Sequence, residues 1–167
     1  INEFGTLGVD GQLVRPGAWA RFELNKGSLF CICVKTDFIR TLDIIARRVR
    51  PELVLVEATG IAETRDLEAF VDEPHLADQF EIAANVCVVD ALNFTKVAPM
   101  LKAARGQVEW ADALVVNKVD LVEPGDLEPL RRVLTSMNPR APIAEVSHGA
   151  ISAEFLAGLR HEKRRGE

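Results

Sequence analysis

Three short apolar runs restrict the folds open to this chain more than any other feature. They are Leu-Val-Leu-Val-Glu at residues 53–57, Val-Cys-Val-Val-Asp at 86–90 and Ala-Leu-Val-Val-Asn at 113–117, each continuous rather than alternating. A strand with one wet face alternates apolar and polar residues. A run that is apolar at successive positions suits a strand buried on both faces, as in a parallel sheet covered by helices. Pro142 to Val146 is a weaker fourth run. Parallel strands need crossover connections, and helical spacing lies where those would run. Phe38, Leu42, Ile45, Ala46 and Val49 follow the i, i+4, i+7, i+8, i+11 series, with Thr36 or Asp37 placed to cap that helix. Leu67 and Phe70 predict a short helix after the first run, and Val97, Met100, Leu101 and Ala104 another after the second. Leu127, Leu130, Val133 and Leu134 predict a fourth, stopped by Asn138-Pro139, and residues 151–159 a fifth. The alternation predicts an α/β fold, a mostly parallel doubly wound sheet flanked by helices.

Composition fits that reading. A chain of 167 residues, 48% hydrophobic and 27% charged, has the size and balance of one globular domain. That excludes a disordered tail, a collagen-like rod and a coiled coil. No apolar stretch approaches the ~20 residues that span a bilayer, and no secretory leader pattern opens the sequence, so no membrane is expected. The net charge of −5 argues against a nucleic-acid partner. Three cysteines are an odd number and no disulfide framework, so a reducing, cytoplasmic location is expected. Residues 161–167 are charged apart from Gly166 and are expected to fray.

The runs end in Glu57, Asp90 and Asn117. Ligands of open α/β sheets bind beyond the carboxyl ends of the strands. Asn117-Lys118-Val119-Asp120 is the most specific loop. A carboxylate at Asp120 can accept both the ring N–H and the exocyclic amine of guanine, a donor pair that adenine lacks. The Lys118 stem can lie on the purine face while Asn117 braces the loop. Ser147-His148-Gly149 follows the fourth run, and a turn there could offer backbone N–H groups to the guanine carbonyl; His148 itself reads as a surface loop residue rather than a ligand. In Glu57-Ala58-Thr59-Gly60, the carboxylate can hold Mg²⁺ through water or orient an attacking water, and Gly60 lets its N–H approach a terminal phosphate. Cys31-Ile32-Cys33, if extended, places two thiols on one side, a pair that suits Zn²⁺ or a similar soft metal. Glu3 could add an oxygen ligand. Cys87, in the middle of its run, reads as core.

Together these motifs resemble the CobW-type metallochaperone GTPases, relatives of the urease and hydrogenase nickel-insertion GTPases. Asn2-Glu3-Phe4-Gly5 with Gly8-Val9-Asp10 is similar to the first switch of that family. The segment from Glu23-Leu24-Asn25-Lys26-Gly27 through the cysteines to Asp37-Phe38 resembles the part that carries its metal site. Glu57-Ala58-Thr59-Gly60 resembles its Walker B and second switch, and Val89-Asp90-Ala91, Ala111-Asp112 and Asn117-Lys118-Val119-Asp120 follow in family order.

The resemblance implies a P-loop GTPase-like domain over residues 1–160, with 161–167 as a charged tail. It implies GTP and Mg²⁺ at the strand ends, with Glu57 and Gly60 as catalytic residues and Asn117, Lys118, Asp120, Ser147 and His148 holding the nucleotide. It implies Zn²⁺ or Co²⁺ as cargo on Glu3, Cys31 and Cys33, delivered to a client metalloprotein or a cobalamin-pathway enzyme, and it is compatible with a homodimer. Two departures stand out. No Gly-x-x-x-x-Gly-Lys-Ser/Thr loop occurs, so the N-terminal strand and Walker A segment of the family are expected to be missing from this chain. The usual Gly-Cys-x-Cys-Cys motif is replaced by Cys31-Ile32-Cys33-Val34, one thiol short. The expected function is therefore a GTP-hydrolysing metallochaperone domain, this chain by itself being inactive. The alternative is a non-catalytic metal-binding or partner-docking remnant.

Overall fold

Residues 2–3, 23–24, 32–57, 65–98 and 102–163 are described in a computed structural model of the chain. They divide into two compact units, residues 1–81 and 82–167.

In the first unit, β1 (Asn2–Glu3) pairs in parallel with β2 (Glu23–Leu24). Helix α1 (Ile32–Ile44) continues as a π-turn through Ile45–Val49 and stops at Arg50, whose left-handed φ of 49° ends the helical path. Two short helices follow, α2 (Arg65–Val71) and α3 (Pro74–Ala77). The predicted spacing fixes the buried face: Phe38 and Leu42 of α1 pack with Phe70 and Leu76, and the Phe38 and Phe70 rings lie 5.9 Å apart in a tilted arrangement.

Two expectations fail here. Thr36 and Asp37 do not cap α1 but lie inside it, because the helix begins four residues earlier, at Ile32. Thr41 instead donates back to the Asp37 carbonyl at 2.7 Å. The run at 53–57 is not a buried strand. Only Glu57 is bridged, and Leu53 and Leu55 are 65% and 77% exposed. High β-propensity describes a residue that fits a half-buried pleated surface, and it forms a ladder only where a neighbouring edge pairs with it.

The second unit carries the predicted sheet. Strands β3 (Val86–Asp90), β4 (Ala113–Asn117) and β5 (Ile143–Val146) run parallel in the order β3-β4-β5. The register aligns Cys87 with Leu114 and Ile143, and Asp90 with Asn117 and Val146. Between the strands lie α4 (Phe94–Val97), α5 (Lys102–Trp110) and α6 (Pro124–Met137), and after β5 comes α7 (Ala153–Gly158). Of the third predicted helix, Val97 ends α4 and Ala104 lies in α5, while Met100 and Leu101 lie outside the described residues. Val89, Leu114 and Val116 face Phe94, Ala98, Val108, Leu130 and Leu134 in one core cluster. Each such fully buried side chain contributes on the order of 1.5–3 kcal/mol. Central β4 is buried on both faces, from Ala113 to Val116, as its unbroken apolar run predicts. Strand β3 lies at the sheet edge among the described residues, and its Val88 is 67% exposed.

The amino-terminal ends of the strands are tied by polar groups. Asp112, just before β4, accepts the Asn85 N–H at 2.7 Å and a 2.8 Å hydrogen bond from His161 Nδ1. His161 therefore does not fray as expected of a charged tail: its side chain is 8% exposed, and that of Asp112 is 4%. A buried carboxylate needs such partners, and a chain end that supplies one is held by it.

Candidate nucleotide-base site at the strand ends

Parallel register places Asp90 and Asn117 side by side at the carboxyl ends of β3 and β4, with Val146 next to them on β5. The loops that leave these ends carry the chemistry. After Asn117 the chain turns sharply, because Lys118 adopts φ 66° and ψ 33°, and a short 3-10 turn (Val119–Leu121) follows, closed by the Leu121 N–H donating to the Lys118 carbonyl at 3.0 Å. This turn carries Asp120, whose side chain is 36% exposed at the rim.

After β5, His148 and Gly149 both have positive φ, 54° and 69°, and the Ala150 N–H donates to the Ser147 carbonyl at 3.1 Å. Two successive left-handed residues make a tight type I′-like turn, which glycine adopts freely and histidine at modest cost. The turn points the Gly149 N–H at Asn117 Oδ1, 3.1 Å away. Asn117 thus braces the loop, as the sequence predicts, by tying the β4 loop to the β5 loop. The Gly149 amide accordingly serves the protein rather than a ligand carbonyl. His148 is 89% exposed, and its Nε2 lies 3.8 Å from Asp120 Oδ2, beyond hydrogen-bond length.

Asp90 belongs to the same cluster, and sequence reasoning passed over its role. Its Oδ1 accepts the Leu92 and Asn93 N–H groups at 2.9 and 3.2 Å, and its Oδ2 accepts Asn93 Nδ2 at 3.2 Å and Lys118 Nζ at 2.7 Å. The Lys118 hydrogen bond, followed by those from Asn93 and Leu92, holds the Asp90 carboxyl below its ordinary range despite partial desolvation. The available signal was the polar end of an apolar run one strand away from Asn117.

The structure brings together Asn117, Lys118, Asp120, Ser147 and His148. Glu57 lies exposed in the first unit, while the base-site residues lie in the second. Gly60 and Cys31 lie outside the described residues, as do the side chains of Glu3 and Cys33. The Cys33 backbone is helical, the second residue of α1, so the extended geometry expected of the Cys31-Ile32-Cys33 pair does not hold at Cys33. In a helix, residues two apart diverge around the axis rather than sharing a side. Among the described residues, no group of three or more His, Cys, Asp or Glu side chains is placed to hold a metal. Cys87 packs against the sheet core as expected, and burial pushes its thiol up to about 11.

A parallel three-stranded sheet with flanking helices defines an α/β domain of the P-loop GTPase-like class. The chain belongs to the CobW/HypB/UreG nucleotide-binding domain family, whose model matches residues 1–145. This is a family of metallochaperone GTPases. The zinc chaperone CobW of a Sinorhizobium species is 30% identical over 95% of this chain and 53% of its own length. The zinc chaperone YjiA of Escherichia coli is 28% identical over 93% of this chain and 50% of its own length. The zinc-regulated GTPase metalloprotein activator 1 of Schizosaccharomyces pombe is 29% identical over 77% of this chain and 32% of its own. The crystal structure of Zn(II)-bound YjiA GTPase from Escherichia coli has the same fold, with a TM-score of 0.61, 22% identity, and coverage of 79% of this chain and 40% of that one. The chain thus spans about half the length of the first two relatives. Among the described residues no helix is long and apolar enough to cross a membrane.

Proposed function

We propose that this chain is the base-reading part of a GTP-dependent metallochaperone. The observation that carries the reading is the lock between two loops: Asn117 Oδ1 accepts the Gly149 N–H and so fixes Lys118, Asp120 and the Ser147-His148 turn around one edge of the sheet. In the proposed complex the Asp120 carboxylate accepts the two guanine donors, the Lys118 stem covers one base face and the turn at 147–149 closes the pocket. Glu57 acts near Mg²⁺ and Gly60 near the terminal phosphate. Mg²⁺ would supply charge neutralisation at the phosphates. Glu3, Cys31 and Cys33 hold the cargo, Zn²⁺ or Co²⁺, for a client metalloprotein or a cobalamin-pathway enzyme. Support for zinc as cargo comes from the names of the relatives and support for the base site from geometry. A cytoplasmic location and a homodimer are part of the same proposal.

The test is base selectivity. Guanosine nucleotides should compete for the site at concentrations where adenosine nucleotides do not. Asp120→Asn should shift preference towards xanthosine nucleotides, because the amide offers a donor where xanthine presents an acceptor. An unchanged preference would remove Asp120 from the base pocket.

A further inference from the structure

We propose that Asp90 is the positioning residue for Lys118 in purine binding, an inference that rests on the guanine reading of the Asn117 loop. Lysine has a long, mobile side chain, and holding it in one arrangement costs rotamer entropy. The left-handed backbone at Lys118 does not by itself hold the ammonium, because the side chain can still turn about its own bonds unless an anion pairs with its end. Asp90 supplies one at 2.7 Å. The carboxylate is itself built in before any ligand arrives. Two backbone amides of the turn after β3 and the Asn93 side chain hold both its oxygens. The β3–β4 register fixes its distance from the lysine, because Asp90 is the direct partner of Asn117. An anion so anchored acts as a tether: it sets where the lysine stem runs, and hence the apolar surface that a purine face meets.

This role differs in kind from that of Asp120. Asp120 contacts the base edge and sets which purine is chosen, whereas Asp90 acts through Lys118 on the face that all purines share. Asp90 therefore changes affinity without changing choice. The ion pair is partly exposed, 48% for the lysine and 32% for the aspartate, so the effect is modest, roughly two- to tenfold in affinity.

The test is a double-mutant cycle on the 167-residue chain, with GDP, IDP and XDP binding measured by calorimetry or by displacement of a fluorescent guanine nucleotide. Asp90→Asn keeps the shape of the side chain and its acceptor for the turn amides while removing the charge; Asp90→Ser serves as a second variant that also retains an acceptor there. Either variant should weaken all three nucleotides by the same factor, leaving their ratios unchanged. In a Lys118→Met background the same changes should cost nothing further. A structural role for Asp90 would instead cost the same in both backgrounds, and that result, or parental affinity in both Asp90 variants, overturns the proposal. Parental chain that binds GDP no better than ADP would overturn the guanine reading itself and this inference with it, a result separable from the others because it is seen before any substitution is made.

Discussion

Lys118 occupies a left-handed conformation that costs a non-glycine residue roughly 1–2 kcal/mol. The conformation makes the abrupt exit from β4 that leaves Asn117 pointing at the β5 loop and sends the lysine stem across to Asp90. Strain of this kind persists where surrounding contacts over-determine it, as these two bonds do. Cys87 illustrates the opposite case, a reactive atom made inert by its surroundings. Its thiol, normally at 9.0, is raised to about 11 by burial. The thiolate is the nucleophile, so Cys87 in the folded chain should alkylate much more slowly than the same residue in denaturant at about pH 9, as mass spectrometry of iodoacetamide-treated protein would show. The linkage has a definite sign. The unfolded thiol ionises near 9.0 and the folded one near 11, so this group lowers stability as pH rises through that window. The cysteines also separate the metal reading from simple packing. Cys31→Ser and Cys33→Ser should each abolish tight Co²⁺ binding, followed by thiolate-to-metal absorption, while Cys87→Ser should spare it. A double Cys31/Cys33 variant that binds like the parent would leave the metal reading without its ligands.

Helix α6 shows how one side chain fixes an element in place. Its Pro124 opens the first turn, where a missing N–H does no harm, and Leu130 and Leu134 bury its apolar face against the sheet. It ends at Asn138, whose buried Nδ2 donates to the Val108 and Ala111 carbonyls at 2.8 Å each while its Oδ1 accepts the Ala141 N–H at 3.2 Å. One amide thus joins the end of α6 to the end of α5 and starts the approach to β5. In the sequence Asn138 reads only as a helix stop before proline; the long-range half of its role is invisible there, because its partners are some 30 residues away. Asn138→Ala should destabilise the second unit by about 2–3 kcal/mol, since it removes buried hydrogen bonds and leaves a small void. Urea unfolding would register this as a lower midpoint with an unchanged slope. Unaltered stability would mean that the three bonds contribute nothing net.

At the scale of the whole molecule, the triphosphate end and the base end of the proposed site have different standing. The base loops are present and ordered around β4 and β5, whereas the sequence holds no Gly-x-x-x-x-Gly-Lys-Ser/Thr loop to surround phosphates with backbone amides and a lysine. The 167-residue chain should therefore release no phosphate from GTP above background in the presence of Mg²⁺. Turnover near ordinary GTPase rates would reveal a second phosphate loop of another design. The sequence by itself determined strands at residues 86–90 and 113–117, with a weaker signal at 142–146, and the face of α1 at Phe38 and Leu42, because apolar runs and 3.6-residue spacing are local consequences of which side chains must leave water. It also carries the residue types proposed to read a purine at the β4 exit, because that chemistry would lie in four consecutive residues, Asn117 to Asp120. Tertiary structure alone decided that residues 53–56 form no ladder, since pairing requires an edge and not merely propensity. It alone decided that His161 is anchored on Asp112, because burial of that carboxylate depends on residues 49 positions apart. And it alone placed Asp90 against Lys118, because a 28-residue separation closes to 2.7 Å only through the register of two parallel strands, which no local pattern records.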